Sequence, residues 1–112
     1  MKILILSLIG VVFISLCTQP QVDVKFPGTT TQSIIDACIR LCNSYKAYKS
    51  LDNGPCLGNP LTEYQDWVCD VAHSPRQASI DDLPENQCSA YREREAMHFV
   101  EVDTNCNLIK AV

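Results

Sequence analysis

The sequence predicts an α+β fold: a small disulfide-rich domain in which one long helix packs on a small antiparallel sheet. Three observations carry that expectation. Apolar residues recur at helical spacing over 32–51, two short runs at 67–72 and 98–102 alternate with period two, and a chain of only 112 residues holds seven cysteines. A domain this small buries about 60–70% of the surface its unfolded chain exposes, so its core calls for covalent support.

The chain starts with Met1 and Lys2 and then runs through 3–16 without a charge. A bilayer-spanning helix needs roughly 20 apolar residues, and this run is shorter. It fits the apolar region of a secretory signal peptide, taken as 1–16. Cys17 follows Ile14, Ser15 and Leu16 and precedes a polar stretch. That arrangement resembles the lipobox of bacterial and archaeal lipoproteins, in which this cysteine is lipidated and becomes the mature N-terminus. Leu16 departs from the Gly or Ala that the pattern prefers. The competing route is ordinary cleavage after Cys17, with small Ser15 and Cys17 at the positions signal peptidase inspects.

Both routes remove Cys17 from the folding problem. The remainder, Cys38, Cys42, Cys56, Cys69, Cys88 and Cys106, is an even set, as a closed disulfide framework requires. Residues 17–31 carry Pro20, Pro27, Gly28 and a threonine run, and read as a lipidated or free N-terminal tether. The folded domain is expected over 32–112.

The helix is expected from about Gln32 to Leu51, where Ser33 followed by Asp36 resembles a capping box with Asp in the usual Glu place. Ile34, Cys38, Leu41, Tyr45 and Tyr48 then recur at spacings of a helical face, widened by Ile35, Ile39 and Cys42. Asn53-Gly54-Pro55 supplies the stop. Cys38 and Cys42 sit one turn apart, with Cβ atoms about 5–6 Å apart, against the roughly 3.5–4.5 Å a disulfide needs. They should bond to two different distant partners, and the sequence leaves the rest of the pairing open.

Residues 54–63 are turn chemistry that places Cys56 on a loop. Trp67, Cys69 and Val71 alternate with Val68, Asp70 and Ala72, a strand with Trp67 and Cys69 on its buried face. Residues 77–88 read as a long acidic loop closed by Cys88, and 89–97 as a short helix or turn. A second strand follows at 98–102, with His98, Val100 and Val102 on one face, and a short final strand at 106–109. Two disulfides would pin the helix to the sheet and a third would tie the loops, each contributing about 2–4 kcal/mol.

The segments GPCLGNP (54–60), WVCDVAHSPR (67–76), NQCSAY (86–91) and HFVEVDTNC (98–106) together resemble a group of small exported cysteine-rich proteins of archaea. The resemblance covers 33–109. It implies export and a disulfide framework, and nothing about catalysis. The Cys-x3-Cys helix is also similar to that of defensin-type scaffolds, but these bond it to a Cys-x-Cys strand, which this chain lacks.

Net charge is −4, which argues against nucleic-acid binding, since that needs a basic patch for phosphates. If the two strands paired suitably, His73, His98, Asp70 and Glu101, with Asp66 and Asp103 nearby, would make a metal site or acid–base pair. Alternation opposes this, because residues three apart on a strand face opposite ways. The plainer reading has His73 capping the strand end and His98 lying half-buried beside Val100. Zinc on Cys38 and Cys42 is disfavoured by an oxidising exterior, and a thiol–disulfide site there lacks Cys-x-x-Cys spacing. Arg76, Arg92 and Arg94 form either a modest anion patch or solvated surface beside Glu93 and Glu95. Trp67, Tyr64, Tyr45 and Tyr48 read as packing before a recognition pocket.

The expectation is a non-enzymatic exported module, at the cell surface or extracellular, without cofactor. Its partners would be the membrane, through a lipid on Cys17, and an extracellular protein or small ligand. The alternatives are a small metal-dependent hydrolase using His73 and His98 and a secreted effector-like protein.

Overall fold

The computed structural model describes residues 30–112 and, in isolation, Gly10 and Val12. The expected signal peptide, Cys17 and the tether up to residue 29 therefore lie outside the described stretch. Helix α1 spans Thr31–Lys46, followed by strands β1 (Cys56–Gly58) and β2 (Trp67–Val71). Short helices α2 (Ala78–Asp81) and α3 (Ser89–Arg92), with a 3-10 turn at Pro84–Asn86 between them, lead to β3 (His98–Val102) and β4 (Leu108–Ala111). The α+β class is as the sequence predicts. Among the described residues no helix is long and apolar enough to cross a membrane.

Helix α1 is capped by Thr30, three residues before Ser33. The Thr30 Oγ1 accepts the Ser33 N–H at 3.2 Å, which satisfies one of the free donors of the first turn. Ile34, Ile35, Cys38 and Cys42 are buried. The helix stops at Lys46 rather than at 51. The Tyr45 carbonyl takes the N–H groups of both Tyr48 and Lys49, at 3.2 and 2.9 Å, and the chain folds back to bring Leu51 into the core. Tyr48, expected on the buried stripe, is 70% exposed as a result. Gly54 does take the left-handed conformation, with φ of 59°, but it shapes the turn into β1 rather than ending the helix.

The four strands lie in sequence order, β1-β2-β3-β4. The outer pairs are antiparallel and the central pair, β2 with β3, is parallel, so the sheet is mixed rather than wholly antiparallel. A parallel pair needs a crossover across one face of the sheet. Residues 72–97 provide it, through α2, the 3-10 turn and α3. The stretch 77–88, expected as a long acidic loop, carries α2 and the 3-10 turn of that crossover. The segment carrying Cys56 is an edge strand rather than a loop, and β4 lies two residues later than 106–109.

The sheet has two covered faces. Cys69, Val71, Val100 and Val102 pack against Ile34, Ile35, Cys38 and Cys42 of α1, with Leu51, Leu61 and Cys106 around them. Val68, with Phe99 alongside, packs on the other side against Cys88, Ala90 and Ala96 of the crossover. Three disulfides brace this arrangement. Cys38–Cys69 joins α1 to β2, Cys42–Cys106 joins α1 to the turn before β4, and Cys56–Cys88 joins β1 to the crossover. Cys38 and Cys42 thus take different distant partners, and the helix is pinned twice, as expected.

Candidate functional site on the crossover face

The strand register builds a row of side chains across the sheet. Cys56 pairs with Asp70, Asp70 with Glu101, and Glu101 with Lys110. Cross-strand partners share a face, and neighbours along a strand alternate faces. Because Cys69 and Val100 face α1, the row Cys56-Asp70-Glu101-Lys110 faces the crossover. Val68 and Phe99, also paired in register, form a second row beside it.

Between these rows and the crossover lies a cavity of about 460 Å³. Its apolar walls are Val68, Phe99 and Tyr91, the two rings meeting edge to face with centroids 5.0 Å apart. Asp70 and the Cys88 half of a disulfide line its interior, and Arg76, Arg92, Glu101 and Lys110 bring charge to it.

The two carboxyls differ in their surroundings. Glu101 Oε2 lies 3.4 Å from Arg76 Nη1, and the same guanidinium is held by Asp82 Oδ1, 2.6 Å from Nη2. Asp70 has a buried Oδ1 with no hydrogen-bond partner among the described residues. Burial first, and then repulsion by Glu101, pushes its carboxyl up to about 8; Asp81 adds slightly, while the Val71 N–H and Arg76 pull the other way. Asp70 is therefore mostly protonated at neutral pH. Arg92 and Lys110 make no ion pair among the described residues, and Lys110 Nζ lies 5.3 Å from the centre of the Phe99 ring. Three cationic side chains thus face the single Glu101 carboxylate, in a chain whose net charge is −4.

The histidines do not join this site. The parallel register sets His98 beside Trp67, whereas His73 follows Val71 at the other end of the pair. An antiparallel pairing would have brought them together; the parallel one separates them. Of the proposed set His73, His98, Asp70 and Glu101, only the two carboxyls converge. His98 stacks on Trp67, with centroids 4.6 Å apart, and its Nε2 lies 3.4 Å from Asp66 Oδ2.

His73 closes the end of β2 through Asp81. Its N–H donates to Asp81 Oδ2 at 3.1 Å and its ring Nδ1 pairs with Oδ1 at 2.9 Å, while Gln77 N–H donates to Oδ2 at 2.8 Å. Burial pushes the Asp81 carboxyl up, but the Gln77 and His73 hydrogen bonds outweigh it and hold the group below its usual range. Asp103 caps its own turn, accepting the N–H groups of Asn105 and Asn107.

Cys38 and Cys42 are in disulfides and offer no thiolate to zinc. Among the described residues, the ligand atoms of Cys56, Asp70 and Cys88 lie within 4.8 Å of one another. The two sulfurs are bonded to each other, so this group too lacks thiolate ligands. Arg76 and Arg92 line the cavity and Arg94 does not. Tyr45, Tyr64 and Trp67 pack against the α1-side core.

Phe99, Tyr91 and Lys110 are cavity residues that the sequence alone does not single out. A signal was present: alternation sets Val68 and Asp70 opposite Cys69, and Phe99 and Glu101 opposite Val100. Joining the two sets takes the parallel register. Protein-family models, curated proteins and solved structures all give no match to this chain.

Proposed function

We propose that this protein is an exported, disulfide-braced binding module that holds a small organic anion with an apolar body in the cavity between the sheet and the crossover. Three disulfides suggest an oxidising, exported setting. In this reading the chain is either anchored by a lipid on Cys17 or released after cleavage.

The observation that carries the ligand class is the pairing of apolar walls with cations that have no ion-pair partner among the described residues. Val68, Tyr91 and Phe99 offer surface to an apolar or aromatic body. Arg92 and Lys110 offer an acidic group its countercharge, since Arg76 is already engaged by Asp82 and Glu101. The protonated Asp70 carboxyl adds a hydrogen-bond donor deeper in the cavity without adding negative charge.

Calorimetry with three probes of one shape tests this: naphthalene-2-sulfonate, 2-naphthol and 2-naphthylmethylammonium. The expected order is anion, then neutral, then cation, with the anion tighter than the neutral probe by about fivefold or more, roughly 1 kcal/mol. Replacing Arg92 and Lys110 together by Gln should abolish that preference. Tightest binding of the cation, or no saturable binding of any probe, would overturn the reading.

A further inference from the structure

The cavity also gives access to a covalent bond that could be exchanged. Of the three disulfides, two lie in the α1-side core: Cys38, Cys69 and Cys42 are wholly buried and Cys106 is 4% exposed. The third differs. Cys56 is partly exposed, on an edge strand, and Cys88, 4% exposed like Cys106, lines the cavity. Asp70 is the cross-strand partner of Cys56, and a carboxyl oxygen of Asp70 lies within 4.8 Å of both sulfurs.

We propose that Cys56–Cys88 is an exchangeable disulfide, opened and re-formed by a dithiol that enters the cavity, with Asp70 as its acid–base group. The activity would be thiol–disulfide oxidoreduction, with a small or peptide dithiol as the co-reactant. It does not depend on the cavity binding an organic anion.

One thiol of the dithiol loses its proton to solvent, and its thiolate attacks Cys88 Sγ. The Cys56–Cys88 bond breaks, a mixed disulfide forms on Cys88, and Cys56 leaves as a thiolate that takes the proton of the Asp70 carboxyl. The Asp70 carboxylate then accepts the proton of the second thiol. That sulfur attacks its partner sulfur in the mixed disulfide, closing the substrate disulfide and releasing Cys88, which takes a proton from solvent. Two electrons pass from the dithiol to the cysteine pair, and the reverse sequence oxidises a protein dithiol at the expense of a substrate disulfide.

Three features suit the site to this. The Gly58 carbonyl lies 3.7 Å from Cys56 Sγ and 3.6 Å from Cys88 Sγ, and the Cys69 carbonyl 3.9 and 3.5 Å, so both thiols would find acceptors once formed. Asn59 holds the crossover independently of the bridge, its Oδ1 accepting the Ala90 N–H and its Nδ2 donating to Ser89 Oγ, both at 2.8 Å. The cations of the cavity favour an approaching thiolate. The groups that set the protonation of Asp70 are Glu101 and Arg76, with Asp81 further off, and Arg92 and Lys110 share the cavity with it. The unsatisfied buried oxygen of Asp70 is costly in a purely structural role.

The test follows dithiothreitol reduction of the whole oxidised protein, with timed alkylation and peptide mapping to assign each bridge. Cys56–Cys88 should open first, by about tenfold or more over the others, given the value of a placed proton donor. After correction for ionisation of the reagent, its rate constant should fall as pH rises through about 8. Asp70→Asn, an isosteric change that keeps the strand, should slow opening about tenfold at pH 6 and remove the pH inflection. Opening no faster than the buried bridges would overturn the proposal. So would faster opening whose pH inflection survives in Asp70→Asn, since exposure alone would then account for it.

Discussion

Asp70 and Glu101 stand side by side in adjacent parallel strands, in register, and line the same cavity. Of these two carboxyls Arg76 pairs with Glu101, at 3.4 Å, so the pair is uneven: Glu101 has the cation and Asp70 keeps the proton. This asymmetry follows from the crossover, which returns from β2 on the side of the sheet where it can deliver Arg76.

The proton on Asp70 makes stability pH-dependent. On unfolding, the carboxyl returns to its ordinary value of 3.8, whereas the folded state holds its proton up to about 8. Between these values the folded state binds more protons, so stability falls as pH rises, by at most about 1.4 kcal/mol per pH unit. Asp70→Asn lacks this slope. Urea midpoints compared at about pH 5 and about pH 7.5 should show the variant gaining on the parent as pH rises; parallel pH curves would contradict the assignment.

Asp81 anchors the start of the crossover. It is 3% exposed and accepts the His73 N–H, the His73 ring and the Gln77 N–H. Asp81→Ala leaves buried donors unpaired, with a cost of about 2–4 kcal/mol by denaturant unfolding. Amide exchange should quicken over 73–82, loosening the segment that presents Arg76. Because the folded carboxyl sits low, its contribution is present above the unfolded value and is lost as pH falls through the folded one.

Gly54 packs against the same carboxylate. A Cβ there would meet Asp81 Oδ1 at 2.8 Å and the Val71 carbonyl at 3.0 Å, and φ is +59°. Gly54→Ala should lower stability by about 1–3 kcal/mol, read as a drop in melting temperature.

Cys42–Cys106 closes the longest loop, 64 residues. Replacing both cysteines by Ala should cost about 2–5 kcal/mol in equilibrium unfolding, with the loss felt where α1 meets the turn before β4.

Much of this architecture was legible in the sequence. The period of Ile34, Cys38 and Leu41 marks α1, and the alternation around Cys69 and Val100 marks the two central strands. The separation of Cys38 from Cys42 along one turn excludes a bond between them. The parallel order was hidden because α2 and α3 have four residues each, with Asp81 and Ala90 as their buried positions, and so show no apolar period. Without the crossover, Asp70 and Glu101 could not be paired or the histidines separated. Phe99, Tyr91 and Lys110 become site residues only when three strands and a short helix are set around one space.

The proposed export would leave its own mark on mass. Protein recovered from its native cells should begin at a lipid-bearing Cys17, or at an unmodified Thr18 if released, and six cysteines should alkylate only after reduction. Intact-mass spectrometry reads both. A chain that keeps residues 1–16, or free thiols before reduction, would contradict the exported, fully bridged state.

The most direct measurement locates the bound probe. A nitrogen-15 amide titration of the oxidised protein with naphthalene-2-sulfonate reports every strand at once. Saturable shifts are expected, concentrated at Val68, Phe99, Glu101 and Lys110 on the sheet and at Tyr91 and Arg92 above it. Shifts centred instead on α1 and the Leu61–Tyr64 stretch, or scattered without saturation, would show that the crossover-face cavity is not the binding site.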